Sequence, residues 1–261
     1  MTLLASGTTG SIGKHLVDAH AVKSRLEDST ENILNEFTEL SPSVFIHLAG
    51  VTSIKLIKED NDLSLRLNVN GALRMMEAFT KSGGKRFIFA STGHVYGATD
   101  SNRFAREIDA AEPISIYAKH KLLAETKLTE KAKELGINLV IARIFSVFGR
   151  DMAEHYLATK ILKDIGLQPN TEEYPVIENG SDVRDFLEPI QVANRLSLIA
   201  KTMKISNQIQ ILNICSGVPI TVSQKVLSAH PKWPEDKIKK TFSPLPHLVG
   251  STELSHQILG I

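Results

Sequence analysis

Short apolar runs and helical periodicities alternate along the first 145 positions of the chain. Thr2–Ser6 is an apolar run cut off by Gly7, and Val44–Ala49 is another, cut off by Gly50. Arg86–Ala90 and Asn138–Arg143 repeat the pattern. Such runs of four to eight residues, bounded by turn residues, predict buried strands. Between them, apolar side chains recur every three or four positions. Ile12, Leu16 and Val17 predict a helix over Ile12–Ala19. Ile33, Leu34, Phe37 and Leu40 predict one over Glu31–Leu40, with Asp28 or Ser29 as its cap. Longer helices are predicted over Leu63–Thr80 and Tyr117–Leu135, and a weaker strand over Ala21–Glu27. Strands that are apolar on both faces and alternate with helices predict an α/β fold, a doubly wound parallel sheet covered on both sides.

After Gly149 the periodicity loosens. Residues 151–181 read as helix plus irregular chain, and 216–261 are proline-rich with little periodicity. The expected plan is a large domain over 1–150, to which 182–213 partly return, and a small C-terminal α/β lobe. That lobe comprises 151–181 and 214–261, with a cleft between it and the large domain.

Composition narrows the function classes. The 261 residues are 42% hydrophobic and 23% charged, and 30 basic residues balance 29 acidic ones. A net charge of +1 carries no electrostatic footprint for nucleic acid or an anionic membrane. Cys215 is the one cysteine, so no internal disulfide can form and a cysteine-based metal cluster is not expected. No run approaches the ~18 apolar residues of a membrane span. The first residues reach Gly7 too early for the apolar region of a signal peptide. A cytoplasmic setting, with no metal, is expected.

Two patterns carry chemistry. Gly7-Thr8-Thr9-Gly10-Ser11-Ile12-Gly13 spaces its glycines as G-x-x-G-x-x-G between a predicted strand and a predicted helix. Glycines there allow a tight turn and let the backbone approach a pyrophosphate, which the N–H groups of a helix start then face. On spacing alone, a plain glycine-rich turn reads the same. Tyr117 and Lys121 stand at i and i+4 on one helix face. An ammonium beside a phenol favours the phenolate, which can then move a proton at a sugar or alcohol hydroxyl near neutral pH. A solvated face that also carries Lys119 and Lys127 would show the same spacing.

Taken in order, these and further motifs resemble the extended short-chain dehydrogenase/reductases, within the NAD-dependent epimerase/dehydratase group that modifies nucleotide sugars. The series is Gly7–Gly13, His47–Gly50, Asn68–Gly71, Ser91–Gly97, Tyr117 with Lys121, Arg143–Gly149, Arg184–Phe186 and Asn213–Gly217. The ending Leu254–Gly260 is similar too.

The resemblance implies a Rossmann-like fold, NAD or NADP as cofactor, a nucleotide-sugar substrate and a homodimer paired through helices. It implies Tyr117 as acid/base, Lys121 as its tuner on the nicotinamide ribose, and Thr92 as the hydroxyl on the reacting substrate oxygen. Gly7, Thr9, Gly10, Ser11, Ile12, Gly13, Asp28, Leu48, Ala49, Gly50, Asn68 and Phe145 are expected at the cofactor. His94, Ser146 and Arg184 join Thr92 at the substrate. The implied chemistry is oxidoreduction at a sugar carbon, expected to be C4, by a 4-keto reductase or a 4-epimerase; a cofactor-sensing member of the fold without catalysis is the rival.

The sequence also departs from the family. Only 34 positions separate Gly13 from His47, so one strand–helix unit is expected to be shortened. No acidic residue is evident for the adenosine ribose, while Lys23 and Arg25 could instead face a 2′-phosphate. Gly93 and His94 stand where dehydratases carry Asp-Glu, which disfavours elimination. Ser146 replaces an asparagine common in the epimerases.

Overall fold

A computed structural model describes residues 2–99, 103–149, 152, 174–202 and 208–260. Most of the helix and irregular chain expected over 151–181 lies outside these residues.

The main sheet has six parallel strands in the order β2-β1-β3-β4-β5-β8. They are β1 (Leu3–Ser6), β2 (His20–Ala21), β3 (Val44–His47), β4 (Arg86–Thr92), β5 (Asn138–Ile144) and β8 (Ile209–Ile214). Strand side chains alternate faces, and the sequence exploits both. Leu4, Phe45, Phe87, Phe89, Leu139 and Ile141 enter one core with α1 (Thr30–Leu40), α4 (Ala72–Lys81) and α5 (Ile116–Leu135). Leu3, Ala5, Val44, Ile46, Ile88, Val140 and Ala142 enter the other, against α6 (Pro189–Thr202) and α8 (Glu253–Leu259). The first core centres on Phe45, whose ring meets Phe37 and Phe87 at 5.2 Å, both edge to face.

The predicted helix over Leu63–Thr80 is part of a longer one. It runs from α3 (Asn61–Ser64) through a π-helical stretch, Leu65–Gly71, into α4, and α2 (Ile54–Glu59) precedes it. Ser29, not Asp28, caps α1, accepting from the Asn32 N–H at 3.2 Å.

Two expectations fail at the β1 edge. The helix over Ile12–Ala19 does not form: one 3₁₀ turn, Gly13–His15, follows the glycines, and Leu16 tucks under the sheet while Val17 stands exposed. Thirteen residues join β1 to β2. A parallel crossover needs about a dozen residues or more, and the glycine loop consumes half of these. The strand expected over Ala21–Glu27 also stops early, because Glu36 of α1 captures the chain. Its carboxylate accepts from the Lys23 N–H at 2.7 Å and the Ser24 N–H at 2.8 Å. Among the described residues, the single short strand β2 is all that lies beyond β1.

A second sheet is built from β6 (Ser146–Val147), β7 (Val183–Leu187) and β10 (His247–Leu248), with β9 (Pro219–Thr221) antiparallel to β7. Phe148, Met152, Ile177, Val226 and Trp233 form its own core, with α7 (Val222–Ala229) packed on it. Asp185 of β7, fully buried, locks this sheet to the end of β8 by accepting from the Ser216 and Gly217 N–H groups at 2.6 and 2.8 Å.

Candidate active site

A cavity of about 750 Å³ opens at the carboxyl ends of β1, β3, β4 and β5, where ligands of open parallel sheets bind. Phe148, Arg184, Phe186 and Val222, from and beside the second sheet, form its opposite wall. Its lining gathers Gly7, Thr9, Gly10, Ser11, Ile12, Gly13, Leu48, Gly50, Asn68, Thr92, His94, Tyr117, Lys121, Phe145, Ser146 and Arg184. Of the residues expected from sequence, Ala49 and Asp28 do not line it. Ala49 turns its N–H back to Ser6 Oγ at 3.2 Å. Asp28 is half-buried and closes a local turn, accepting from the Arg25 N–H at 2.7 Å.

The glycine turn is sterically obligatory. Gly7 has φ +71°, and a Cβ there would stand 2.8 Å from the Ala49 nitrogen. A Cβ on Gly13 would stand 2.1 Å from the Gly7 carbonyl oxygen. The N–H groups of Ser11 and Ile12 have no partner among the described residues and belong to the cavity wall. This cradle fits a phosphate, but a three-residue 3₁₀ turn adds little macrodipole behind it.

Asn68 sits on the π-helical stretch and is spent on the neighbouring loop. Its Oδ1 accepts from the Val51 N–H at 2.7 Å, and its Nδ2 donates to the Val51 carbonyl at 2.9 Å. It therefore fixes the Gly50–Val51 backbone at the cavity edge.

Thr92 ends β4. Its Oγ1 accepts from the His94 N–H at 3.3 Å, which leaves the hydroxyl proton to be donated into the cavity. Gly93 lies beneath the Phe145 ring, and a Cβ would meet three ring atoms at 2.9 to 3.0 Å. An acidic side chain at this position has no room. Burial, reinforced by Arg184, draws the His94 imidazole down to about 4, so it is neutral at pH 7.

Helix α5 starts at Ser115, whose Oγ accepts from the Ala118 N–H. Tyr117, Lys121 and Glu125 follow at intervals of four on one face. Burial pulls Lys121 down to about 7, against the opposing pull of Glu125, and its Nζ stands 4.0 Å from the Phe89 ring centre. Glu125 is held from two sides. Arg143 Nη2 donates to it at 2.7 Å, and Ser91 Oγ donates to its other oxygen. Of this buried pair, Glu125 shares α5 with the Tyr–Lys pair and Arg143 lies on β5. The signal for Glu125 was an acidic residue four positions past Lys121 on an inward face.

Arg184 lines the cavity while donating to Asp182 at 2.8 Å. Beyond it the wall is apolar: Phe148, Met152, Phe186 and Val222. Spacing assigns these four no role, although Phe148 and Phe186 lie within the motifs Arg143–Gly149 and Arg184–Phe186.

A model of the NAD dependent epimerase/dehydratase family matches residues 4–215. GDP-6-deoxy-D-mannose reductase of Pseudomonas aeruginosa is 27% identical over 232 residues, 82% of this chain and 74% of that protein. UDP-glucose 4-epimerase of Streptococcus mutans is 24% identical across all of this chain and 91% of its own length. Among solved structures, the Thermus thermophilus UDP-glucose 4-epimerase complex with NAD superposes with a TM-score of 0.81 at 24% identity, covering 99% of this chain and 93% of that one.

Proposed function

The chain belongs to the NAD-dependent epimerase/dehydratase family, and we propose that it catalyses NAD(P)-dependent oxidoreduction at C4 of a nucleotide sugar. The observation that carries this reading is the convergence of Thr92, Tyr117, Lys121, Phe145 and Arg184 on one cavity that also holds the glycine turn. A reduced nicotinamide, when bound, supplies the hydride. The chain's own groups do the rest. Tyr117 passes a proton to the sugar oxygen, and Thr92 donates its hydroxyl to the same oxygen as charge develops there. Lys121 supports the Tyr117 phenolate and would hold the nicotinamide ribose. Phe145 and Ser146 would flank the ring, and Arg184 would hold a substrate phosphate. The apolar wall of Phe148, Phe186 and Val222 excludes water.

Within this class we favour the 4-keto reductase, which releases its cofactor each cycle, because the phosphate cradle lacks a helix behind it. The 4-epimerase is the second reading, supported by several relatives that bear that name. Dehydration is opposed by the Gly93–Phe145 contact. In this reading residues 1–150, to which 182–213 partly return, bind cofactor, and 151–181 with 214–261 bind substrate together with Arg184 of β7. The enzyme is a cytoplasmic homodimer. Incubating the protein with UDP-, GDP- and dTDP-linked sugars and their 4-keto forms, with NADH or NADPH, tests the reading. Net nicotinamide oxidation by a keto-sugar indicates the reductase, and interconversion without net oxidation the epimerase. Neither event with any sugar refutes both.

A further inference from the structure

Resting on that reading, we propose that the site recognises the nicotinamide mononucleotide half of its cofactor alone, so that reduced nicotinamide mononucleotide serves nearly as well as NADH. The nicotinamide side of the cavity is complete. Lys121, Tyr117, Phe145 and Ser146 line it, and the free N–H groups of Ser11 and Ile12 offer a seat for one phosphate.

On the adenosine side, the first donors past the strand are taken up by bonds within the protein. An adenosine ribose in a fold of this kind lies past the carboxyl end of the strand beside β1. Here that strand is β2, and the backbone donors directly after it, at Val22 to Arg25, are already committed. The Val22 N–H goes to the Ala5 carbonyl at 2.9 Å. The Lys23 and Ser24 N–H groups and the Ser24 hydroxyl all go to Glu36. The Arg25 N–H goes to Asp28, the acid that resembles an adenine partner. None of residues 20–28 lines the cavity, and Lys23, Arg25 and Glu27 stand in solvent. Adenosine attached to the bound half would thus meet exposed side chains and, at 22–25, backbone N–H groups that already have acceptors.

The test measures affinity, not turnover. The protein is titrated with NADH and with reduced nicotinamide mononucleotide, following nicotinamide fluorescence, and ADP-ribose is then used to displace bound NADH. The two dissociation constants are expected within tenfold of each other. ADP-ribose should displace NADH only at concentrations more than tenfold above the NADH constant. Arg25→Ala and Asp28→Ala should shift neither constant by more than twofold. A gap above tenfold in favour of NADH, displacement by ADP-ribose at NADH-like concentrations, or binding of neither nicotinamide nucleotide would overturn the inference. Failure of every sugar to react, with near-equal nicotinamide affinities retained, would strike the proposed function and leave this inference standing.

Discussion

At the scale of single residues, Tyr117 and His47 make opposite demands on protons. Tyr117 begins the inward face that continues through Lys121 and Glu125, and it lines the cavity. Tyr117→Phe should lower turnover by about 10²–10⁴ while the NADH dissociation constant stays nearly unchanged. Wild-type turnover in that variant would remove the assignment. His47 ends β3, with Nδ1 hydrogen-bonded to Ser6 Oγ at 2.8 Å. Burial, with Lys121 nearby, pulls its imidazole down to about 3. The unfolded chain therefore binds a proton near pH 6.5 that the folded chain refuses. Unfolding free energy must rise with pH through this window and fall as pH drops below 6.5. His47 alone should remove about 2 kcal/mol of stability between pH 7 and pH 5. Denaturant unfolding at both values, compared with His47→Gln, checks this; an equal pH slope in the variant would exclude His47 as the source.

At the scale of elements, the most legible parts were those whose burial pattern is set locally. The four glycine-bounded runs became β1, β3, β4 and β5, and α1 and α5 lie within a residue of their predicted limits. Apolar positions facing two cores are a strong signal, because each strand must satisfy both faces. What failed was decided by chain length and by distant partners. Leu16 and Val17 carry helical spacing, but too few residues remain between the glycine loop and β2 to build the helix. The strand after Ala21 ends because Glu36, twelve residues away from Ser24, takes its donors. The site was legible through its motifs, whereas the Asn68 clamp and the partner that Glu125 finds in Arg143 depend on packing between elements distant in sequence. The glycine turn yields its own test. Gly13→Ala forces a Cβ into the Gly7 carbonyl oxygen. NADH binding should fall at least tenfold, with the far-ultraviolet circular dichroism of the sheet and helices retained. Unchanged affinity would mean that the turn does not shape the phosphate seat.

At the scale of the whole molecule, α2 and α5 leave Leu56, Ile116 and Leu123 exposed. An apolar stripe of this kind on a charged helix suits a partner copy. Sedimentation at micromolar concentration should give a dimer, and Leu123→Asp should shift it to monomer with its circular dichroism intact. A wild-type protein that sediments only as a monomer would refute the pairing. The cavity has a further consequence for the molecule. Its two walls belong to separate cores, one built on β4 and β5 and the other on Phe148 and Trp233. A molecule lodged between them is also a fastener, adding RT ln(1 + [L]/Kd) to the work of parting the walls. Amide hydrogen exchange should therefore slow more in β6, β7 and α7 than in the centre of the main sheet when ligand is present. Occupancy would then be read as a stiffening of the smaller half, on a clock of deuterium uptake rather than of chemistry.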